Sequence, residues 1–103
     1  MVARIPINQD TIAEFCWRWG LTELALYGSV LRDDFGPDSD IDVLVSIAPD
    51  RTCTMFDLVR MAEELEGIFG RAVDIQTRRG IEKSRNEIRR QEILDSVEVI
   101  HAA

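Results

Sequence analysis

Asp40-Ile41-Asp42-Val43-Leu44-Val45 alternates carboxylate and apolar side chains over its first four positions and then stays apolar. A period of two marks a strand, here one with a polar mouth and a buried body. Aspartate is disfavoured inside strands and costly to bury without compensation, so two of them at the start of one strand require a reason. Positions two apart leave from the same face, roughly 6.5 to 7 Å from each other along the chain. Two like charges so placed, partly shielded from water, raise one carboxyl pKa unless a divalent cation neutralises both. A set of oxygen ligands alone favours Mg²⁺ or Mn²⁺ over zinc. Taken singly, each aspartate reads as a strand-end residue facing water. Taken as a pair, Asp40 and Asp42 read as the start of a metal site.

Working outward, the elements on both sides alternate between helical and strand patterns. Upstream, Asn8 or Asp10 can cap a helix carrying Ile12, Phe15, Cys16 and Trp19 on one face, and Gly20 ends it. Leu21 to Tyr27 then reads as a short buried strand that stops at Gly28-Ser29. Val30, Leu31, Arg32 and Asp33 fit one helical turn, and residues 35–39 form a loop by their turn chemistry. Downstream, Pro49-Asp50 closes the central strand. Thr54 with Asp57 makes a capping-box start for a helix expected to turn Leu58, Val59, Ala62, Leu65 and Phe69 inward, leaving Glu63, Glu64 and Glu66 solvated. Ala72-Val73-Asp74-Ile75-Gln76 is a third strand with one carboxylate in its middle, and Ser84 to about Asp95 reads as a charged helix. Val97 to His101 is read as a fourth, edge strand rather than a helical extension. The expectation is one α/β domain over residues 1–103, a small mixed sheet of three to four strands flanked by helices.

Two further features bear on the aspartate pair. Gly28-Ser29 follows a strand and opens a short helical turn, so backbone N–H groups can face phosphate oxygens with no side chain in the way. Ser29 adds a hydroxyl, and Arg32, three residues on, would lie on the same side of that turn and reach the phosphates by a charge-assisted bond. If the strand of Asp74 lies beside that of Asp40 and Asp42, a third carboxylate joins the metal site. Such a site can hold two ions about 3.5 to 4 Å apart, activating an attacking hydroxyl and stabilising a leaving pyrophosphate.

In combination, Gly28-Ser29-x-x-Arg32, then Ser39-Asp40-Ile41-Asp42, then Asp74 resembles the nucleotidyltransferase superfamily that includes DNA polymerase beta. The length and the run Leu26 to Phe35 look most like the minimal nucleotidyltransferases, stand-alone domains often encoded beside HEPN-domain ribonuclease toxins. The resemblance implies the nucleotidyltransferase fold and an antitoxin that binds ATP and Mg²⁺, transfers AMP to a tyrosine hydroxyl of the toxin and assembles with it into a hetero-oligomer. It also implies that Gly28, Ser29, Arg32 and Ser39 hold the nucleotide, that Asp40, Asp42 and Asp74 bind the metals, and that Asp74 takes the proton of the acceptor. Where the superfamily more often has Ala-Arg-Gly, this chain has Leu31-Arg32-Asp33, which brings a larger side chain and a negative charge to the expected phosphate site. That departure leaves room for an antitoxin that works by binding alone. A transferase acting on a small molecule or an RNA end is the other alternative; such enzymes usually carry a further domain to hold the acceptor.

Composition narrows the partners. The net charge of −7 repels a phosphate backbone and argues against direct nucleic-acid binding. Arg78, Arg79, Lys83, Arg85, Arg89 and Arg90 are half of the twelve basic residues, and this segregation suits a protein partner or a triphosphate better than duplex DNA. No apolar run approaches the roughly 18 residues of a membrane helix, and the first ten residues lack the apolar stretch of a secretory signal, so a cytoplasmic location is expected. Cys16 and Cys53 form no CxxC pair and read as reduced structural thiols. His101 has no partner in sequence and is assigned no role; Asp33, Asp34 and Asp38 read as turn residues. Trp17 lies off the apolar stripe of its helix, at the core rim or at an interface.

Overall fold

In the first helix, α1 (Gln9–Trp19), Asn8 closes the start by accepting the Thr11 N–H at 3.2 Å. Gly20, at φ +68°, ends it in the left-handed conformation, its N–H directed to the carbonyls of Cys16 and Trp17. Ile12, Phe15 and Cys16 are fully buried, as their i, i+3, i+4 spacing requires. The computed structural model describes residues 7–31, 36, 39–83 and 85–102, with backbone alone at 29 and 89.

The strands follow as β1 (Leu21–Tyr27), β2 (Ile41–Ile47), β3 (Val73–Thr77) and β4 (Glu98–Ala102). They form one mixed sheet in the order β3-β2-β1-β4, with β1 antiparallel to β2 and β4, and β2 parallel to β3. The parallel pair needs a crossover, and α2 (Met55–Phe69) supplies it. Its start is the anticipated capping box: Thr54 Oγ1 accepts the Asp57 N–H at 3.2 Å, and Asp57 Oδ2 accepts the Thr54 N–H at 3.0 Å. Central strands covered on both faces must be apolar on both, and residues 24–27 and 43–45 are all buried. Leu24, Leu26, Val43 and Val45 pack with Ile12, Phe15, Met61 and Leu65 of α1 and α2. Ala25, Tyr27 and Leu44 face the other way, toward Ile81 of α3 (Arg78–Glu82) and Ile93 of α4 (Glu87–Asp95).

Several boundaries differ from the sequence expectation. The central strand starts one residue later and ends two later, so Asp40 stands before it. The C-terminal helical region begins at Arg78, because Thr77 caps a separate short helix by accepting the Gly80 N–H at 3.0 Å. The helix expected from residue 84 runs only from Glu87. The fourth strand is present, shifted by one residue. On α2, Met61 and Leu65 are the buried residues and Leu58 and Ile68 pack beside them, while Val59 is 53% exposed, since the stripe is turned toward Met61 and away from Val59. Glu64 is not simply solvated: it receives the forked guanidinium of Arg18 and the indole N–H of Trp19 at 3.3 Å, tying α2 to α1. The bond from Arg18 holds its carboxyl below the usual range. Glu66 also turns back, accepting the Val73 N–H at 3.1 Å. Trp17 is 79% exposed, outside the core. Cys16 and Cys53 are free thiols, and burial pushes that of Cys16 up to about 11, consistent with an inert packing residue. Among the described residues no helix is long and apolar enough to cross a membrane.

Two stability outcomes follow from this packing. Phe15 is fully buried with its ring 6.5 Å from that of Trp19, so Phe15→Ala should cost about 3 to 5 kcal/mol in a denaturant titration, a large share of the stability of a small domain. Glu64 has a lowered carboxyl pKa, so its contribution is present above the ordinary carboxylate range and is lost as pH falls through the folded value. Glu64→Gln should therefore melt earlier than the parent at pH 7. The difference between the two should vanish once the pH falls below the ordinary carboxylate range.

Candidate active site

The sheet register assembles the site. Antiparallel pairing of β1 and β2 sets Tyr27 opposite Asp42, and parallel pairing of β2 and β3 sets Asp74 opposite Asp42 on the other side. Register partners share a face, and neighbouring strands lie about 4.8 Å apart, so the carboxylates of Asp42 and Asp74 start side by side. That face is the one carrying Tyr27 and Leu44. Alternation along β2 thus sends Ile41, Val43 and Val45 into the helix-covered core and Asp42 to the other side, where it is half-buried. Asp74 is exposed, and so is Asp40, just before the strand. The strand pair is closed beyond them by the Ile41 N–H bound to the Ala72 carbonyl at 2.9 Å.

Gly28 follows Tyr27 directly and turns the chain at φ +75° into a 3-10 segment, Gly28–Leu31, anchored by the fully buried Val30. A Cβ at Gly28 would collide with Oδ2 of Asp42, and the positive φ is itself strained for any side chain. Glycine is needed here on two counts: the turn's conformation and its close passage by a carboxylate. The Ser29 backbone lies in this turn, whereas Arg32, Asp33, Asp34 and Asp38 lie outside the described residues.

Ser39 is engaged in its own loop. Its hydroxyl accepts the Gly36 N–H at 3.1 Å, and its N–H donates to the Gly36 carbonyl at 3.1 Å. Arg71, two residues before β3, clamps the same loop, donating to the carbonyls of Gly36 and of Ser39, the latter at 3.0 Å. Sequence reading missed Arg71. Its one signal is its place between the helix-ending Gly70 and β3, and nothing in the spacing points to a loop 32 residues upstream. Through Ser39, Arg71 fixes the approach of Asp40 to the strand.

Among the described residues, no three of His, Cys, Asp and Glu are grouped so as to hold one metal ion. The Asp42–Asp74 pair still suits a hard divalent cation, because its donors are all carboxylate oxygens. Magnesium in particular is commonly held by one or two carboxylates together with substrate phosphates. The space that Gly28 leaves open lies against Asp42.

This arrangement has relatives. Over 58 residues the chain is 36% identical to a chain described as a protein adenylyltransferase in Methanocaldococcus jannaschii, covering 56% of this chain and 60% of that one. Over 58 residues it is 31% identical to the protein adenylyltransferase MntA of Thermococcus cleftensis, covering 56% and 57%. The aligned part thus spans less than two thirds of either relative. A solved structure described as a minimal nucleotidyltransferase is 31% identical, with a TM-score of 0.66 over 87% of this chain and 86% of that chain. Two more distant structures share the fold. A toxin-antitoxin with AMP-PNP is 19% identical, with a TM-score of 0.71 over 94% of this chain and 75% of that chain. A complex of the tri-AMPylated Shewanella oneidensis HEPN toxin with MNT antitoxin is 18% identical, with a TM-score of 0.62 over 92% and 70%. The model of the nucleotidyltransferase domain matches residues 9–97, which include the Gly28 turn, the Asp42–Asp74 pair and all of the sheet except β4, and the chain belongs to that family.

Proposed function

We propose that this chain is a protein adenylyltransferase of the antitoxin type, moving AMP from ATP to a tyrosine hydroxyl of a partner HEPN ribonuclease and neutralising it within a hetero-oligomer. The observation that carries the reading is the register pairing of Asp42 with Asp74 beside a turn whose left-handed conformation favours glycine. The names of the adenylyltransferase relatives and the AMP-PNP and tri-AMPylated complexes of the fold neighbours support the choice of ATP and of a protein acceptor.

In this reading Gly28 and Ser29 receive the triphosphate, with Arg32 and Ser39 as further nucleotide ligands, and the Asp42–Asp74 pair, with Asp40 just before the strand, would hold Mg²⁺ or Mn²⁺ together with the phosphates. Such a metal, when bound, would offset the charge of carboxylates and phosphates and polarise the centre under attack. Asp74, exposed at the sheet edge, is open to a large acceptor and takes the proton of its hydroxyl. The acceptor oxygen then bonds to the α-phosphorus, the bond from that phosphorus to the β-phosphate oxygen breaks, and pyrophosphate leaves. Asp42, held between Tyr27 and Asp74, fixes the line of the displacement.

The test is mass spectrometry of the partner after incubation with the purified chain, ATP and Mg²⁺. The parent should raise the partner's mass by one or more adenylyl groups, and the Asp40→Asn, Asp42→Asn double variant should lower the rate by on the order of 100-fold or more. If the double variant still protects cells and the parent never alters the partner's mass, the transferase reading fails and binding alone explains the protection. Gly28→Ala should fold with a loss of about 1 kcal/mol or more. It should also depress adenylylation well beyond that loss of stability, because its methyl group displaces Asp42, as parallel thermal melts and rate measurements would record.

A further inference from the structure

A cavity of about 730 Å³ opens at the opposite end of the β2–β3 pair, lined by Val45 to Pro49, Arg51 to Cys53, Thr77 to Arg79 and Glu82. Val45 and Thr77 are register partners three positions past Asp42 and Asp74, so the cavity lies about 10 Å along the strands from the aspartate pair. None of Gly28, Ser39, Asp40, Asp42 and Asp74 lines it.

Its rim is cationic in a chain of net charge −7, through Arg51, Arg78 and Arg79. Arg78 is already committed, donating from Nε and Nη2 to Glu23 Oε1 at 3.0 and 2.5 Å. Among the described residues, Arg51 and Arg79 have no carboxylate at ion-pair distance. Arg51 is exposed but lies across Gly20, where a Cβ would overlap its Cγ, Nε and Cζ atoms. Glu82 also lines the cavity and is the one carboxylate there, set against the two uncommitted guanidiniums. The floor is apolar, made by Val45, Ile47, Ala48 and Pro49.

We infer that this cavity is a second, non-catalytic site for a phosphorylated small molecule of nucleotide size. Its volume falls in the range of about 300 to 1,000 Å³ usual for such ligands. Guanidinium forks match phosphate oxygens in pairs, and the apolar floor takes the uncharged body of the ligand.

The test is titration of the full chain with AMP, and separately with inorganic phosphate and acetate, in the absence of divalent metal, followed by two-dimensional NMR. Binding should saturate with AMP, and the backbone amides of Ser46, Thr52 and Arg79 should shift while those of Gly28 and Asp42 stay in place. The Arg51→Ala, Arg79→Ala double variant should weaken AMP about tenfold or more, and Asp42→Asn with Asp74→Asn should not. No saturation with AMP, shifts confined to Gly28 and Asp42, undiminished affinity in the arginine variant, or acetate binding as tightly as phosphate would each overturn the inference. The amide shifts are read on the unmodified protein, so the result does not depend on the variant folding. Adenylylation of a partner is a separate readout, and either proposal can fail while the other stands.

Discussion

Parallel pairing of β2 with β3 determines that Asp74 faces Asp42, and the candidate site is built around that match. A slip of one position would turn Asp74 to the helix-covered face and send Val73 or Ile75 into its place. What prevents the slip lies on the other side of the sheet, where Val73 and Ile75 pack against the core made by α1, α2 and the inward residues of β2. The aspartates are therefore aligned by the hydrophobic effect acting on their neighbours, one residue away on each strand. Their own mutual repulsion opposes the alignment, and packing overrides it.

Polar contacts finish what apolar packing starts. Arg18 and Trp19 meet Glu64 at the top of α2, Glu66 holds the N–H at the start of β3, and Arg71 holds the loop before Asp40. Three of these five residues, Glu64, Glu66 and Arg71, fall within one stretch, from the last turns of α2 to two residues before β3. That stretch links the crossover to both aspartate strands, so the register and the approach to the site are stabilised by the same few residues. Among the described residues no charged side chain is fully buried.

Much of this was legible from local pattern. The α1 stripe, the Thr54–Asp57 box, the alternation at Asp40 to Val45 and the lone carboxylate of β3 all carry their information within a few residues, and the structure has each in its expected element except Asp40, which stands just before β2. Other features were opaque for a physical reason. The short helix Arg78–Glu82 holds one buried apolar residue, Ile81, so it has no periodicity to read. The Arg18–Glu64 and Arg71–Ser39 contacts join residues 46 and 32 positions apart, and a charged side chain on a helix or in a turn looks the same whether it meets water or a distant partner. The collision that forbids a side chain at Gly28 depends on the β1–β2 register, which the Gly-Ser pair alone does not specify.

The strand order β3-β2-β1-β4 has a consequence for how the protein is made. The central hairpin of β1 and β2 is built from one contiguous piece of chain, but β1 finds its second neighbour only in β4, some seventy residues later. During synthesis, the outer row of amide and carbonyl groups of β1 therefore waits, unpaired and flanked by apolar side chains, until β4 leaves the ribosome. An unpaired row of that kind is a template for another nascent chain. The interval before β4 docks is the stage at which this fold is most open to misassembly.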